Sequence, residues 1–397
     1  MKKPKYPQQL FIPQEERLAV LHRKGELFIG IPKEMHMQEK RVCLTPDAVA
    51  TLVSHGHRVV VESGAGEGAL YTDLDYSEAG AEVIPDKKTV FRAGMVLKVE
   101  PPTLEEIDMM KPGSVLFSAL QVNLQEKRFF DRLAAKRITA LAYEFIKDDH
   151  GIFPIVRTQS EIAGTASILI AGEYLSKPNL SRGLLLGNVS GVPAAEVVIL
   201  GAGTVGEYAA RTAIGLGASV KVFDNSISKL RRLQTNVARV IYTSTLQPSN
   251  IARALQQADV VIGALHGKIR TPVVITESMV EMMKPGSVLV DVSIDRGGVS
   301  ETSELTTHTN PIVIKHDVIH YGVPNIPSKY SRTATIAFSN VLTSYLRKIA
   351  EMGGLEKAVA IDRGLREGIY TYRGVITNRT VSEWFDTDYR DINLLFL

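Results

Sequence analysis

The segment Glu196-Val-Val-Ile-Leu-Gly-Ala-Gly-Thr-Val-Gly-Glu-Tyr-Ala-Ala-Arg211 constrains this chain more than any other: an apolar run enters Gly-x-Gly-x-x-Gly and leaves as a helical pattern. Strand, glycine turn and helix in that order make a seat for a pyrophosphate. Gly201 permits the tight turn, Gly203 lets backbone N–H groups approach the phosphates, and Gly206 lets the helix pack close on the strand. Thr204 and Val205 stand between the last two glycines at the helix start. A second apolar run, 218–223, ends in Asp224, where a carboxylate can accept hydrogen bonds from the adenosine ribose hydroxyls. The same carboxylate repels a 2′-phosphate. The cofactor read from these residues is therefore NAD(H), although Lys229, Arg231 and Arg232 follow closely.

A chain of 397 residues exceeds one ordinary core and implies two domains. Short apolar runs at 27–32, 58–62, 95–99, 114–120 and 138–142 alternate with helical patterns at 46–55 and 124–136, which predicts a parallel sheet covered on both faces. A second series predicts strands at 196–200, 218–223, 240–243, 259–264, 287–292 and 312–315, with helices near 204–216, 226–237, 247–257 and 276–282. Helices at 160–175 and 333–352 lead into and out of that unit. The last 70 or so residues are too few for a third such domain and are expected to return to the first. The fold class is thus α/β with two Rossmann-like doubly wound domains. The first, residues 27–152 and 327–397, is discontinuous; the second, 153–326, binds NAD and is inserted, with a cleft between them. Residues 1–26, with a helical stretch at 14–23, read as an N-terminal appendage. Gly64, Gly66 and Gly68 also follow an apolar run, but their spacing and the lack of a helical repeat after them favour a structural turn.

The net charge of +3, from 46 basic and 43 acidic residues, argues against a nucleic-acid surface. The single cysteine, Cys43, excludes an internal disulfide, fits a reducing compartment and reads as a small apolar filler in a strand. No cysteine-based metal site can be assembled, and no metal is expected. The basic N-terminus lacks the apolar stretch of a signal peptide, and no run of ~18 apolar residues is present. These features read as a cytoplasmic protein with no membrane partner.

Four ordered segments, Ile29-Gly-Ile-Pro-Lys-Glu with Glu39-Lys-Arg-Val-Cys-Leu-Thr-Pro46, Glu62-Ser-Gly-Ala-Gly66, the glycine fingerprint with Asp224, and Met283-Lys-Pro-Gly-Ser-Val-Leu-Val-Asp-Val-Ser-Ile-Asp-Arg-Gly-Gly298, resemble alanine dehydrogenases. The same fold serves the NAD(H)-binding subunit of proton-translocating transhydrogenase and the lysine-forming saccharopine dehydrogenases. The resemblance covers roughly residues 27–380. It implies a homohexamer and oxidative deamination of L-alanine to pyruvate and ammonium with NAD+. By resemblance, Arg41 binds the substrate carboxylate, for which a guanidinium has the matching two-pronged geometry. Asp295 matches the catalytic aspartate that meets the nicotinamide side and activates water, with Ile294 beside it. Asp291, earlier on the same strand, reads as structural. Further cofactor contacts carry over to Ser160 at a helix start, Lys229, Leu265 and His266, and to Val323, Asn325 and Ile326 in the nicotinamide-side loop.

The resemblance breaks at two positions. The family's first-domain pocket carries a lysine and a histidine at the amine or carbonyl end of the substrate; in this chain those positions hold Glu100 and Gln121, and no histidine lies between His57 and His150. Lysine to glutamate is a swing of two charges beside Arg41. At ~4 Å and an effective dielectric of ~20, each unit interaction is about 4 kcal/mol before screening. Three readings follow. Lys98, two residues before Glu100, supplies the ammonium as a catalytic group while Gln121 supplies a neutral hydrogen bond; or Glu100 binds a substrate amine, giving a dehydrogenase for another amino acid; or the chain binds NAD(H) with little or no catalysis.

Overall fold

The computed structural model describes residues 25–35, 38–237, 239–267 and 270–396; the expected helix at 14–23, and nearly all of the appendage, lie outside them. Fifteen strands among the described residues form two sheets. The first eight-stranded sheet contains β1 (Phe28–Ile31), β2 (Arg58–Glu62), β3 (Glu82–Ile84), β4 (Met95–Leu97), β5 (Val115–Ser118), β6 (Thr139–Ala142), β14 (Ile369–Tyr372) and β15 (Val375–Ile376), in the order β15-β14-β6-β5-β4-β1-β2-β3. The second contains β7 (Glu196–Leu200), β8 (Ser219–Phe223), β9 (Tyr242–Ser244), β10 (Val260–Gly263), β11 (Val288–Asp291), β12 (Ile312–Lys315) and β13 (Val318–Tyr321), in the order β12-β13-β11-β10-β7-β8-β9. The chain after residue 369 does rejoin the first sheet, so that unit is discontinuous and the second is inserted within it.

Both sheets are doubly wound for the same physical reason. Val197 and Ile199 pack into one core while Val198 and Leu200 pack into another on the opposite face, all four fully buried. Successive strand residues point to opposite faces, so a strand covered on both sides must be apolar throughout. Burying each such side chain is worth about 1.5–3 kcal/mol. The expected all-parallel pattern fails at the edges. β12 pairs antiparallel with β13, and β14 pairs antiparallel with β6 and β15. Arg373 and Gly374, with φ of 49° and 84°, form the two-residue turn between β14 and β15, a conformation that matches strand twist in a hairpin.

Helix α1 (Pro46–Ser54) starts at Thr45, whose side chain accepts from the Ala48 N–H, with proline in the first turn. Two long helices join the units: α2 (Pro154–Leu175) and α4 (Ser331–Glu351), with α3 (Thr204–Leu216) following the fingerprint between them. α2 begins six residues before the sequence reading placed it, because Pro154 has the fixed φ of a first helical residue. Ser160 therefore lies inside the helix and not at its start. Cys43 is buried as expected but in a bend, 3.7 Å from the Tyr143 hydroxyl, and not in a strand. The turn at Gly64–Gly68 is structural: a Cβ on Gly68 would lie 2.6 Å from the Lys40 carbonyl oxygen, so the glycine lets the segment carrying Arg41 pack against it.

Each strand order contains one switch point. In the second sheet the chain runs from β7 outward through β8 to β9, then returns to lay β10, β11 and β13 on the other side. In the first it runs from β1 to β3, then returns to lay β4, β5 and β6. A crevice opens outside the carboxyl ends of the strands where the order reverses, which is where open α/β sheets bind ligands.

Candidate active site

At the β7 switch point Gly201 has φ 117°, and a Cβ there would lie 2.3 Å from the Ala264 carbonyl oxygen. A Cβ on Gly206 would meet the Gly201 carbonyl at 1.8 Å, whereas nothing lies within 4 Å of one on Gly203. The first and third glycines are filled in by protein and the second faces open space. No side chain caps the start of α3 at Gly203, so the N–H groups of its first turn, including those of Thr204 and Val205, stay available to an anion. Asp224 is buried at the end of β8, its carboxylate accepting from Ala202 N at 2.8 Å and Ser226 N at 2.7 Å. It ties the glycine turn to the start of the next helix. Lys229 is exposed near His266, whose ring is held below its ordinary pKa by burial, with Arg296 and Lys229 adding to the effect. These features fit a dinucleotide: a cradle that a side chain on Gly203 would fill, an uncapped helix and a carboxylate beneath.

A cavity of about 300 Å³ extends from this seat to the first unit. Arg41 lines it from one side and Asp295 from the other. Ser160, Val205, Leu265 and His266 also line it, as do Val323, Asn325 and Ile326. Ile294, expected beside the cofactor, points its side chain toward Gly298 and Gly322 and is absent from the cavity wall. β11 ends at Asp291, earlier than expected, and Asp295 sits in a 3₁₀ turn, 294–296. That turn is held from below. Asp291 accepts from Ser293 N, Val299 N and Ser303 Oγ at 3.0, 2.8 and 2.6 Å, and Ser293 Oγ donates to the Leu265 carbonyl at 2.7 Å. Asp295 opens into the cleft, yet the surrounding protein excludes enough water to raise its carboxyl above the ordinary range against the pull of Arg296.

Arg41 is the hub of the opposite wall. Its Nε and Nη2 donate to the two oxygens of Glu39 at 2.8 and 2.5 Å, and its Nη1 donates to Gln159 Oε1 at 2.9 Å. Asn325 Nδ2 donates to Glu39 at 2.7 Å, linking this wall to the 323–326 loop. Burial acts to raise Glu39, but the Arg41 charge and hydrogen bonds outweigh it and hold the carboxyl well below its ordinary range. Glu100 meets Arg41 Nη2 at 3.9 Å and accepts from Gln121 Nε2 at 2.6 Å. Burial, reinforced by the Glu39 charge, pushes Glu100 up to about 7. Gln121 has φ 48°, and its loop is fixed by Glu144, which accepts from the N–H groups of Leu120 and Gln121 at 2.8 Å each.

Lys98 does not join this group. Its Nζ lies 2.9 Å from Glu34 and 3.4 Å from Glu106, and its side chain is 2 % exposed. The expectation that it faces the substrate with Glu100 assumed a strand through both residues. β4 stops at Leu97, Glu34 accepts from Val99 N at 2.6 Å, and the chain turns, sending Lys98 inward and Glu100 to the Arg41 side. Glu34, Glu39, Glu144 and Gln159 carry no motif in the sequence that marks them for this site. Glu39 stands two residues before Arg41 and Gln159 one before Ser160, but only the fold shows that they share a partner.

Among the described residues no group of three or more metal-donor side chains converges, and no helix is long and apolar enough to cross a membrane. A larger cavity, about 580 Å³, lies away from the glycine turn. Among its charged lining residues, Lys147 pairs with Glu367 and Lys348 with Asp362.

Comparison with known proteins matches this architecture end to end. Residues 30–163 match the family description "Alanine dehydrogenase/PNT, N-terminal domain" and residues 167–379 match "Alanine dehydrogenase/PNT, C-terminal domain". The chain is similar to alanine dehydrogenase of Bacillus subtilis (strain 168), 42% identical over 365 residues covering 91% of this chain and 96% of that one. It is similar to alanine dehydrogenase 2 of Staphylococcus aureus (strain USA300), 39% identical over 366 residues covering 92% and 98%. A solved L-alanine dehydrogenase superposes with a TM-score of 0.84 at 38% identity, covering 89% of this chain and 98% of that one. A transhydrogenase from Sinorhizobium meliloti superposes with a TM-score of 0.76 at 25% identity, covering 89% and 99%.

Proposed function

Because the chain belongs to the alanine dehydrogenase/PNT family, we propose that it is an NAD-dependent amino-acid dehydrogenase converting L-alanine, NAD+ and water to pyruvate, ammonium and NADH, and that it assembles as a homohexamer. The observation that carries this reading is that Arg41 and Asp295, from different units of the fold, line one cavity beside an open glycine turn. NAD+, when bound, supplies the hydride acceptor.

The Nη1 and Nη2 groups of Arg41 each retain an N–H beyond those engaged by Glu39 and Gln159, and this edge takes the substrate carboxylate. Holding that end fixes where the α-carbon and amine lie, which lowers the entropic part of the barrier. Asp295, its carboxyl raised above the ordinary range by burial, accepts a proton from the water that hydrolyses the imine and orients it. By resemblance, Glu100 and Gln121 occupy the positions that meet the amine or carbonyl end of the ligand, next to Arg41 and behind the residues that line the cavity.

A second reading, a dehydrogenase for a different amino acid, is favoured by Glu100, a carboxyl in place of the family's cation. NADH formation with a panel of L-amino acids, and NADH consumption with 2-oxo acids plus ammonium, tests both. Turnover with alanine and pyruvate supports the first reading, and turnover confined to another pair supports the second. Silence in both directions, with NADH still bound, sinks both and leaves a non-catalytic NAD(H)-binding protein.

A further inference from the structure

Glu100 is the surplus acid of the substrate wall. Glu39 is neutralised by a two-pronged bond to Arg41, and Glu34 and Glu106 share Lys98, with Lys87 also 2.7 Å from Glu106. The salt bridge that Glu100 makes among the described residues is the 3.9 Å approach to Arg41 Nη2, a nitrogen already engaged by Glu39. Its other oxygen is occupied by the Gln121 amide at 2.6 Å. A carboxylate ligand docking on the free edge of Arg41 therefore arrives next to Glu100 Oε1. With Glu39 already paired to Arg41, a ligand carboxylate beside Glu100 disfavours the ionised form of Glu100.

We propose that the ligand's carboxylate and one proton enter this pocket together, the proton passing from solvent to Glu100 as the carboxylate docks on Arg41. No covalent bond is made or broken in this step. The ligand class is a short amino-acid or 2-oxo-acid monocarboxylate, so the inference rests on the reading of the site given above. The proton coupling is what it adds.

The surroundings agree with this assignment. The charged groups facing Glu100 are Glu34, Glu39 and Arg41 from the segment after β1, and Glu144 lies under the loop of Gln121. Lys98, two residues upstream, is turned to Glu34 and Glu106. Burial and the Glu39 charge already bring Glu100 to about 7 with no ligand present, so an added anion raises it further. On the far wall burial lowers His266, so it is neutral above pH 7, and raises Asp295, whose proton the Glu100→Gln variant separates from that of Glu100.

The test is calorimetric titration of the full-length, NADH-saturated protein with pyruvate, without ammonium, from about pH 6 to about pH 9 in buffers of different ionisation enthalpy. The expected result is an affinity level below about pH 7 that weakens about tenfold per pH unit above it, with close to one proton taken up per pyruvate at the alkaline end. Glu100→Gln is expected to bind pyruvate with no proton uptake and no alkaline loss. Wild-type affinity flat across the range, or uptake persisting in Glu100→Gln, overturns the inference while leaving the substrate site intact. Failure of the wild type to bind pyruvate at any pH, with NADH bound normally, overturns the reading of the site as well. The wild-type proton count needs no variant, so a Glu100→Gln protein that fails to fold does not rescue the idea.

Discussion

At the carboxyl ends of β7 and β8 the chain presents mostly backbone: an uncapped helix, a glycine facing empty space, and an aspartate bound to N–H groups. At the carboxyl ends of β1 and β4 it presents side chains, with Glu34, Glu39, Arg41, Lys98 and Glu100 meeting across two segments. The two ends share a topology and differ in what they require of sequence. A pyrophosphate seat needs places where no Cβ stands, and that requirement is local and fixed. The substrate wall depends on which charges meet after folding, so one altered residue resets its balance. A cluster that lifts Glu100 to about 7 leaves it about half ionised near pH 7, so in place of a lysine it changes the local charge by about 1.5 and not 2.

The difference can be broken most forcefully at the residue shared by both sides. Asp295→Asn keeps the shape of the 3₁₀ turn and removes the titrating group, and is expected to lower kcat by about 10²–10⁴. NADH affinity, measured by fluorescence titration, is expected to change less than about threefold, equivalent to under ~0.7 kcal/mol. Unchanged kcat would confine the chemistry to the Arg41 side. Gly203→Val asks whether the seat is truly a matter of empty space. Its φ of −73° suits any residue and nothing lies within 4 Å of the added Cβ, so urea unfolding of the free protein is expected to shift by less than about 1 kcal/mol. NADH affinity is expected to fall about a hundredfold, about 3 kcal/mol. Equal affinity would show that the pyrophosphate lies elsewhere.

The same contrast explains what was legible in the sequence. β12 spans 312–315 and α3 spans 204–216 as the apolar pattern predicts, because burial on both faces leaves a continuous signature. β3, β13 and the β14–β15 hairpin were missed: β3 has only three residues, and the others are short edge or near-edge strands placed by tertiary pairing. The fingerprint glycines were readable because their spacing is itself the geometry. Lys98 was not, because its direction depends on where β4 ends and on Glu34, 64 residues away, capturing Nζ. Nor was the pairing of Glu39 with Asn325, which lie 286 residues apart.

The smallest effect is also the one that reads the substrate wall most directly. Glu39 and Glu100 both have an ordinary value of 4.5, one lowered and the other raised to about 7. For Glu39 the folded chain releases its proton more readily than the unfolded chain, so it contributes stability above about pH 4.5 that is lost as pH falls through its lowered folded value. For Glu100 the folded chain keeps a proton that the unfolded chain has released between about pH 4.5 and about pH 7. Its contribution is therefore fully present below about 4.5 and lost as pH rises through about 7. Glu100→Gln holds the neutral form at every pH. Its side chain is 19% exposed, and solvent screening returns part of the shift, so the expected gain over wild type in urea unfolding is about 1–2 kcal/mol at about pH 8 and close to zero at about pH 4. A loss at pH 8 would show that Glu100 is an ionised partner of Arg41. The substrate wall would then be a satisfied ion cluster like the one around Lys98, and its difference from the cofactor side would lie in charge count alone.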